Sequence, residues 1–299
     1  MAEWPGPTEV GSVSLRSPVM TASGTSGHGA ELAAYGPLDA LGAVVVKSLA
    51  AFPWEGNAPP RVLGAGGGSM LNRVGLQGPG VQTWRERDLP GLLDAGATVV
   101  ASIWGRTTEE FRAAAALLRG APGVVAVEVN VSCPNLEGHR VGHSAPATAE
   151  AVEAAGAAGL PRWAKLSPDV SDIGEIAAAA IDGGAETLTL VNTLPATSVD
   201  TETGAVFRGG LSGPALHPVA VRAVAECRAA FPHVGIVGVG GVGSGLDAAE
   251  LVRAGADAVQ VGTAIFEDPR APWRIQLELA SWIERHGSSI PKATGAALH

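Results

Sequence analysis

Short apolar runs recur along the chain at residues 19–23, 43–49, 97–103, 125–132, 163–167, 187–193, 235–241 and 258–264. Each is rich in Val, Ile, Leu or Thr and too short for a buried helix, so each is predicted to be a β-strand. Between them lie Ala- and Leu-rich segments with helical spacing, at 109–119, 147–158, 173–182, 218–231 and 246–254. Asp172 and Ser244 stand at the expected N-caps. Glycines in Ala95-Gly96-Ala97, Gly183-Gly184-Ala185 and Ala254-Gly255-Ala256 close helices just before the next strand. Strand and helix alternating at this spacing require parallel pairing, and eight such units in 299 residues predict one (β/α)8 barrel over 1–299 as a single domain. A doubly wound open sheet is the competing architecture, but no early G-x-G-x-x-G opens a helix. A shorter alternation around Gly11, from Val10 to Leu15, predicts a small hairpin ahead of the barrel.

A barrel makes the carboxyl ends of its strands informative, because active sites collect there. Those ends are polar or glycine-rich: Ser23-Gly24, Lys47-Ser48, Ser102, Asn130 to Cys133, Lys165 to Ser167, Asn192-Thr193, Gly240-Gly241 and Gly262-Thr263. Lys47 and Lys165 finish otherwise apolar strands, which packing alone does not explain. Glycines after the last two strands suit a phosphate, since missing side chains expose backbone N–H groups. The alternation of the fourth run stops at a thiol, in Val129-Asn-Val-Ser-Cys133-Pro-Asn135. By residue type alone Cys133 is a general base, a nucleophile or a packed thiol. Long stretches after the second and sixth strands, 50–80 and 194–213, read as binding loops or lids. The segment from Pro134 to Pro146, after the fourth, reads as a cover over the thiol.

Composition narrows the partners. A net charge of −9 argues against nucleic acid and against an anionic membrane surface. The N-terminus has no basic region leading into an apolar core, and no run reaches the ~18 apolar residues of a membrane span. The expectation is a soluble, cytoplasmic protein. Cys133 and Cys227 are far apart, and there is no CxxC or HExxH, so no metal is expected. Cys227 falls in a helical pattern and is read as packing.

The motifs Ala22-Ser-Gly-Thr25, Lys47-Ser-Leu49, Asn72-x-x-Gly75-Leu76-Gln77, Asn130-Val-Ser-Cys-Pro-Asn135, Lys165-Leu-Ser-Pro168, Asn192-Thr193, Gly210-Leu-Ser-Gly-Pro-Ala215 and Val261-Gly-Thr263 follow one another in order over nearly the whole chain. Together they resemble the class 1 dihydroorotate dehydrogenases. The resemblance implies an FMN-bearing barrel that oxidises (S)-dihydroorotate to orotate in pyrimidine synthesis, with Cys133 as the base at carbon 5 and hydride passing from carbon 6 to the flavin. It implies that Lys47, Asn72, Gly75, Leu76, Asn130, Asn135, Asn192 and Thr193 hold substrate. It implies that Ser23, Lys47, Ser48, Ser102, Asn130, Lys165, Val191, Gly213, Gly240, Gly241, Gly262 and Thr263 hold FMN. The wording around Cys133 and Gly75-Leu76-Gln77 is nearer subclass B. The resemblance implies a homodimer or, as that subclass implies, a heterotetramer in which electrons pass to NAD⁺ through a second subunit with FAD and an iron–sulfur cluster. Ser102 and Gly78 stand where the family commonly has Asn, and Trp104 where it has a smaller residue. Three other readings are a fumarate-using class 1A enzyme, a nucleotide dehydrogenase barrel with a nucleophilic Cys, and a non-catalytic barrel subunit.

Overall fold

The computed structural model describes residues 6–132 and 141–286. Eight parallel strands form the central sheet: β3 (Val19–Thr21), β4 (Val44–Val45), β7 (Val99–Ile103), β8 (Val124–Asn130), β9 (Arg162–Leu166), β10 (Thr187–Leu190), β13 (Gly235–Val239) and β14 (Ala258–Val261). Their spatial order is β3-β14-β13-β10-β9-β8-β7-β4. The two end strands meet, because Gly42 N–H donates to Val19 O at 2.8 Å and Thr21 N–H to Ala43 O at 3.2 Å. The sheet is therefore a barrel with no exposed edge at this seam. Most of the strands are shorter than the apolar runs, since the last residues of those runs leave the ladder at the barrel mouth, whereas β7 ends with its run at Ile103.

Helices α3 (Thr108–Leu118), α4 (Ala145–Ala155), α5 (Ile173–Asp182), α6 (His217–Ala230) and α7 (Gly245–Ala254) follow their strands as the spacing predicts. Asp172 Oδ1 accepts from Gly174 and Glu175 N–H, and Ser244 forms a capping box with Asp247, so both N-caps stand where they were expected. Cys227 is buried in α6, which pushes its thiol up to about 12 and leaves it inert at neutral pH. The unit after β4 is covered by two short helices, α1 (Val81–Arg87) and α2 (Leu89–Asp94). The first unit departs from the pattern. Between β3 and β4 lie only 3-10 turns, Glu31–Ala34 and Leu38–Ala40. Past the short α8 (Ala264–Glu267), the C-terminal α9 (Ala271–His286) packs on β3 instead, held by Trp273 Nε1–H donating to Pro37 O at 2.8 Å.

The strand period of two sorts side chains to two cores. Outward residues such as Val127, Val129, Val259 and Val261 join the larger cluster with the helices. Inward residues Met20, Val45, Val100, Ala126, Trp163, Val237 and Ala258 form a second cluster with Val10, Val13 and Leu15. Those last three belong to the hairpin β1 (Thr8–Val10) and β2 (Val13–Leu15), turned at Gly11 as expected. The hairpin plugs the amino end of the barrel. At Gly11 a side chain is impossible without rearrangement, because φ is +59 and a Cβ would lie 2.8 Å from Thr187 Oγ1.

The two long loops are not irregular. Residues after β4 form β5 (Val62–Gly66) and β6 (Ser69–Asn72), and those after β10 form β11 (Leu194–Val199) and β12 (Val206–Ser212). The four make one antiparallel sheet in the order β11-β12-β6-β5, a canopy over the carboxyl end. Asp200 and Arg208 sit in its exposed hairpin. Among the described residues, no helix is long and apolar enough to cross a membrane.

Candidate functional site

A cavity of about 700 Å³ opens between the carboxyl ends of the strands and the canopy. Its wall includes Ser23, Lys47, Ser48, Asn72, Gly75, Leu76, Asn130, Lys165, Val191, Asn192, Thr193, Gly213, Gly240, Gly241, Gly262 and Thr263. The structure thus gathers residues from eight separate motifs around one space. Cys133 and Asn135 lie outside the described residues. Ser102 does not reach the wall. It is fully buried behind Ser48, with the two hydroxyls sharing a hydrogen bond of 2.9 Å. Its short side chain reaches the cavity wall only through that bond to Ser48.

From Ser48 the network continues. Asn130 Nδ2–H donates to Ser48 Oγ at 3.1 Å, and Asn192 Nδ2–H to Asn130 Oδ1 at 3.1 Å. Thr193 N–H in turn donates to Asn192 Oδ1 at 2.8 Å. Each amide is held in one orientation by its neighbour, which presents a fixed pattern of donors and acceptors to a planar ligand.

Lys165 rises from the barrel centre. Its ammonium lies 3.3 Å from Glu128 Oε1, 3.2 Å from Gln260 Oε1 and 3.4 Å from Ser23 Oγ. Gln260 Nε2–H donates to Glu128 Oε2 at 2.8 Å, which closes the triangle. Glu128 and Gln260 are fully buried and Lys165 nearly so, so removing either charge of the Lys165–Glu128 pair strands the other. The register explains the meeting: Asn130 pairs Lys165 across β8 and β9, so Glu128 lies one inward step below Asn130. Neither Glu128 nor Gln260 was singled out from sequence. Their signal was a polar residue at an inward position of an apolar strand, Val-Ala-Val-Glu-Val and Ala-Val-Gln-Val.

On the far side the wall is backbone. Gly240 and Gly241 adopt φ of +136 and +68, and a Cβ on Gly241 would approach His217 Cβ at 2.6 Å. Only glycine fits there, and the bare backbone makes a cradle suited to an anionic phosphate. His217 supports the turn, its Nδ1 lying 2.9 Å from Gly240 O.

The opposite wall carries an aromatic group that sequence reading noted only through Trp104. Phe52, Trp54 and Trp104 pack edge to face with centroids 5.9 to 6.2 Å apart. Arg106 lies over Phe52 and Trp54 at 4.8 and 5.3 Å and is bound to Glu110, whose carboxyl is held below its ordinary value by that bond. Leu76, at φ +63, packs against the buried Ala50 and Trp104 pair, as Phe52 does, while Trp54 Nε1–H donates to Gly75 O at 3.0 Å. The cluster thus fixes the turn that puts Gly75 and Leu76 on the wall. Gly78 faces His28, whose buried Nε2 has no partner among the described residues, and burial lowers that imidazole's pKa.

A barrel with an amide-lined cavity, a buried lysine and a glycine-rich turn at its carboxyl face has the form of a barrel enzyme's active site. The particular family follows from comparison. The family model described as dihydroorotate dehydrogenase matches residues 7–283, and the chain belongs to that family, which is flavin-dependent. A Geobacter relative, dihydroorotate dehydrogenase B (NAD⁺), catalytic subunit, is 42% identical over 295 residues, covering 96% of each chain. A Solibacter usitatus relative at 43% identity, covering 96% of this chain and 95% of its own, is a putative dihydroorotate dehydrogenase A (fumarate). The crystal structure of DHODH in complex with ferulenol from Eimeria tenella shares the fold with a TM-score of 0.78 at 22% identity, covering 95% of this chain and 86% of that one.

Proposed function

We propose that this chain, as one barrel domain over 1–299, oxidises (S)-dihydroorotate to orotate in pyrimidine synthesis with FMN as its cofactor. The observation that carries the reading is the cavity itself: among the described residues its wall holds Lys47, Arg73, Arg106 and Lys165 but no Asp or Glu. Such a wall suits two anionic ligands, a phosphorylated cofactor and a carboxylate substrate.

The residues fit FMN in chemistry and in room. The Gly240-Gly241 cradle and Gly262-Thr263 would hold its phosphate. Lys165, with Ser23 and the Ser48–Asn130 pair, would face its ring. Bound there, FMN supplies the hydride acceptor. Lys165 would stabilise negative charge on the ring side, and burial makes one ammonium count for more than it would in water. Asn72, Asn130, Asn192 and Thr193, with the Gly75-Leu76 backbone and Lys47, would bind and orient the substrate ring. Cys133 would take the carbon-5 proton as the thiolate, with Asn135 beside the substrate.

The purified chain is expected to be yellow, and dihydroorotate is expected to bleach it under anaerobic conditions. A colourless chain that FMN cannot reconstitute overturns the reading. Cys133→Ala should keep the flavin and lose most of the reduction rate, by about 10²-fold or more, as measured by anaerobic stopped flow. A reduction rate equal to wild type removes Cys133 from the role.

For the acceptor we favour NAD⁺ through a partner subunit, as the name of the Geobacter relative suggests, with FAD and an iron–sulfur cluster on that partner as the motif resemblance implies. The name of the Solibacter relative favours a second reading, fumarate used directly as the acceptor. Turnover of the isolated chain with fumarate, compared with turnover by NAD⁺ after purification from the native cell, separates the two.

A further inference from the structure

Of the cations on the cavity wall, Lys165 is tied to Glu128 and Arg106 to Glu110. Arg73 differs. Among the described residues it has no carboxylate partner. Its guanidinium carbon stands 5.6 Å from the centre of the Phe207 ring on β12, and its buried Nε meets no acceptor. Arg73 directly follows β6, between Asn72 and the Val74-Gly75-Leu76 stretch of the wall. Asn57 Nδ2–H donates to Arg73 O at 2.8 Å, and Arg73 N–H to Arg61 O at 2.8 Å, so its backbone is anchored on both sides.

The chain carries −9 overall, so its general field opposes an approaching anion. A guanidinium on the cavity wall, propped on an aromatic face and without a carboxylate partner among the described residues, reverses that field locally. Its planar fork also matches a carboxylate better than an ammonium does. The motif resemblance assigned no role to this position. We infer that Arg73 is a further substrate-binding residue, receiving the carboxylate of the substrate from the canopy side and steering it into the cavity. The inference rests on the proposed dihydroorotate reading and deepens it.

The test uses the flavin-loaded protein, wild type and the Arg73→Gln and Arg73→Lys variants, all of which keep a long stem over Phe207. Orotate is titrated by calorimetry, and steady-state kinetics with dihydroorotate are measured at low and high salt. Arg73→Gln should weaken orotate binding about tenfold and raise KM by a similar factor, with a much smaller change in kcat. Arg73→Lys should recover part of the loss. The fall of kcat/KM with salt should be steep in wild type and flatter in Arg73→Gln. Orotate affinity, KM and salt dependence within about twofold of wild type in Arg73→Gln would overturn the assignment. Wild-type protein that binds no orotate would instead overturn the reading on which it rests.

Discussion

The two ends of the barrel are built from the same strands and do opposite things. At the amino end Val100, Ala126, Trp163 and Ala258 point inward and pack against the N-terminal hairpin. Two residues further along the same strands, the inward positions are Ser102, Glu128, Lys165 and Gln260. One step of the pleat, about 7 Å, takes the interior from apolar packing to a charged and hydrogen-bonded layer. Both layers are buried, so exposure does not separate them. The lower layer stabilises by removing apolar area from water, at roughly 25 cal/mol per Å². The upper layer gains little net stability from its ion pair, because desolvation offsets the attraction. Its value lies in holding an ammonium at a fixed place under the cavity.

The largest expected effect comes from breaking the upper layer. Lys165→Met should strand Glu128 in the barrel, cost about 3–5 kcal/mol in urea unfolding and abolish most flavin reduction. Adding Glu128→Gln should recover much of the stability but none of the reduction. Recovery of both would mean that the layer is packing like the one below it. The reverse experiment is Leu15→Ala in the hairpin, which should cost about 3 kcal/mol while kcat and KM stay at wild-type values. A kinetic change there would show that the plugged end communicates with the cavity.

The smallest effect concerns pH. Burial, and then the Lys47 charge, lower the pKa of His28 beside Gly78. The folded protein therefore holds fewer protons on this ring than the unfolded chain does. The stability that this gives is present above the ordinary imidazole value near 6.5 and is lost as pH falls below it, through the lowered folded value. Melting temperatures of wild type should drop more between pH 7 and pH 5 than those of His28→Gln. Parallel curves would place the acid sensitivity elsewhere.

The division between the ends was partly legible in the sequence. Strand periodicity located all eight barrel strands, and Asp172 and Ser244 marked helix starts by chemistry that acts within a few residues. The hairpin was equally local, signalled by Gly11 between alternating residues. The canopy was not legible. Its strands contain Val-Leu-Gly-Ala-Gly and Phe-Arg-Gly-Gly-Leu, which have weak intrinsic preference, and their pairing is decided by partners far along the chain. The partner of Lys165 was hidden for a similar reason, since Glu128 and Gln260 lie 132 residues apart and meet only when the barrel closes. C-terminal α9 shows apolar spacing at Ile275, Leu279 and Trp282, yet nothing local says that it covers the first strand. Trp104 was visible as a departure. Its packing with Phe52, Trp54 and Leu76 was not, because that cluster joins two separate loops.

The canopy also has a consequence for a chain still on the ribosome. Asn72 of β6 pairs with Gly210 of β12, a partner made 138 residues later. At roughly 5–20 residues per second, β5 and β6 wait on the order of ten seconds beside an empty place. A nascent hairpin with an open edge is a template for other chains. Here the waiting edge on β6 is only four residues long, and Gly64 and Gly66 of β5 with Gly67 and Gly68 of the turn weaken the hairpin behind it, which makes the template a poor one. The same glycines that deprive the canopy of a readable strand signal protect it while its partner is still being synthesised.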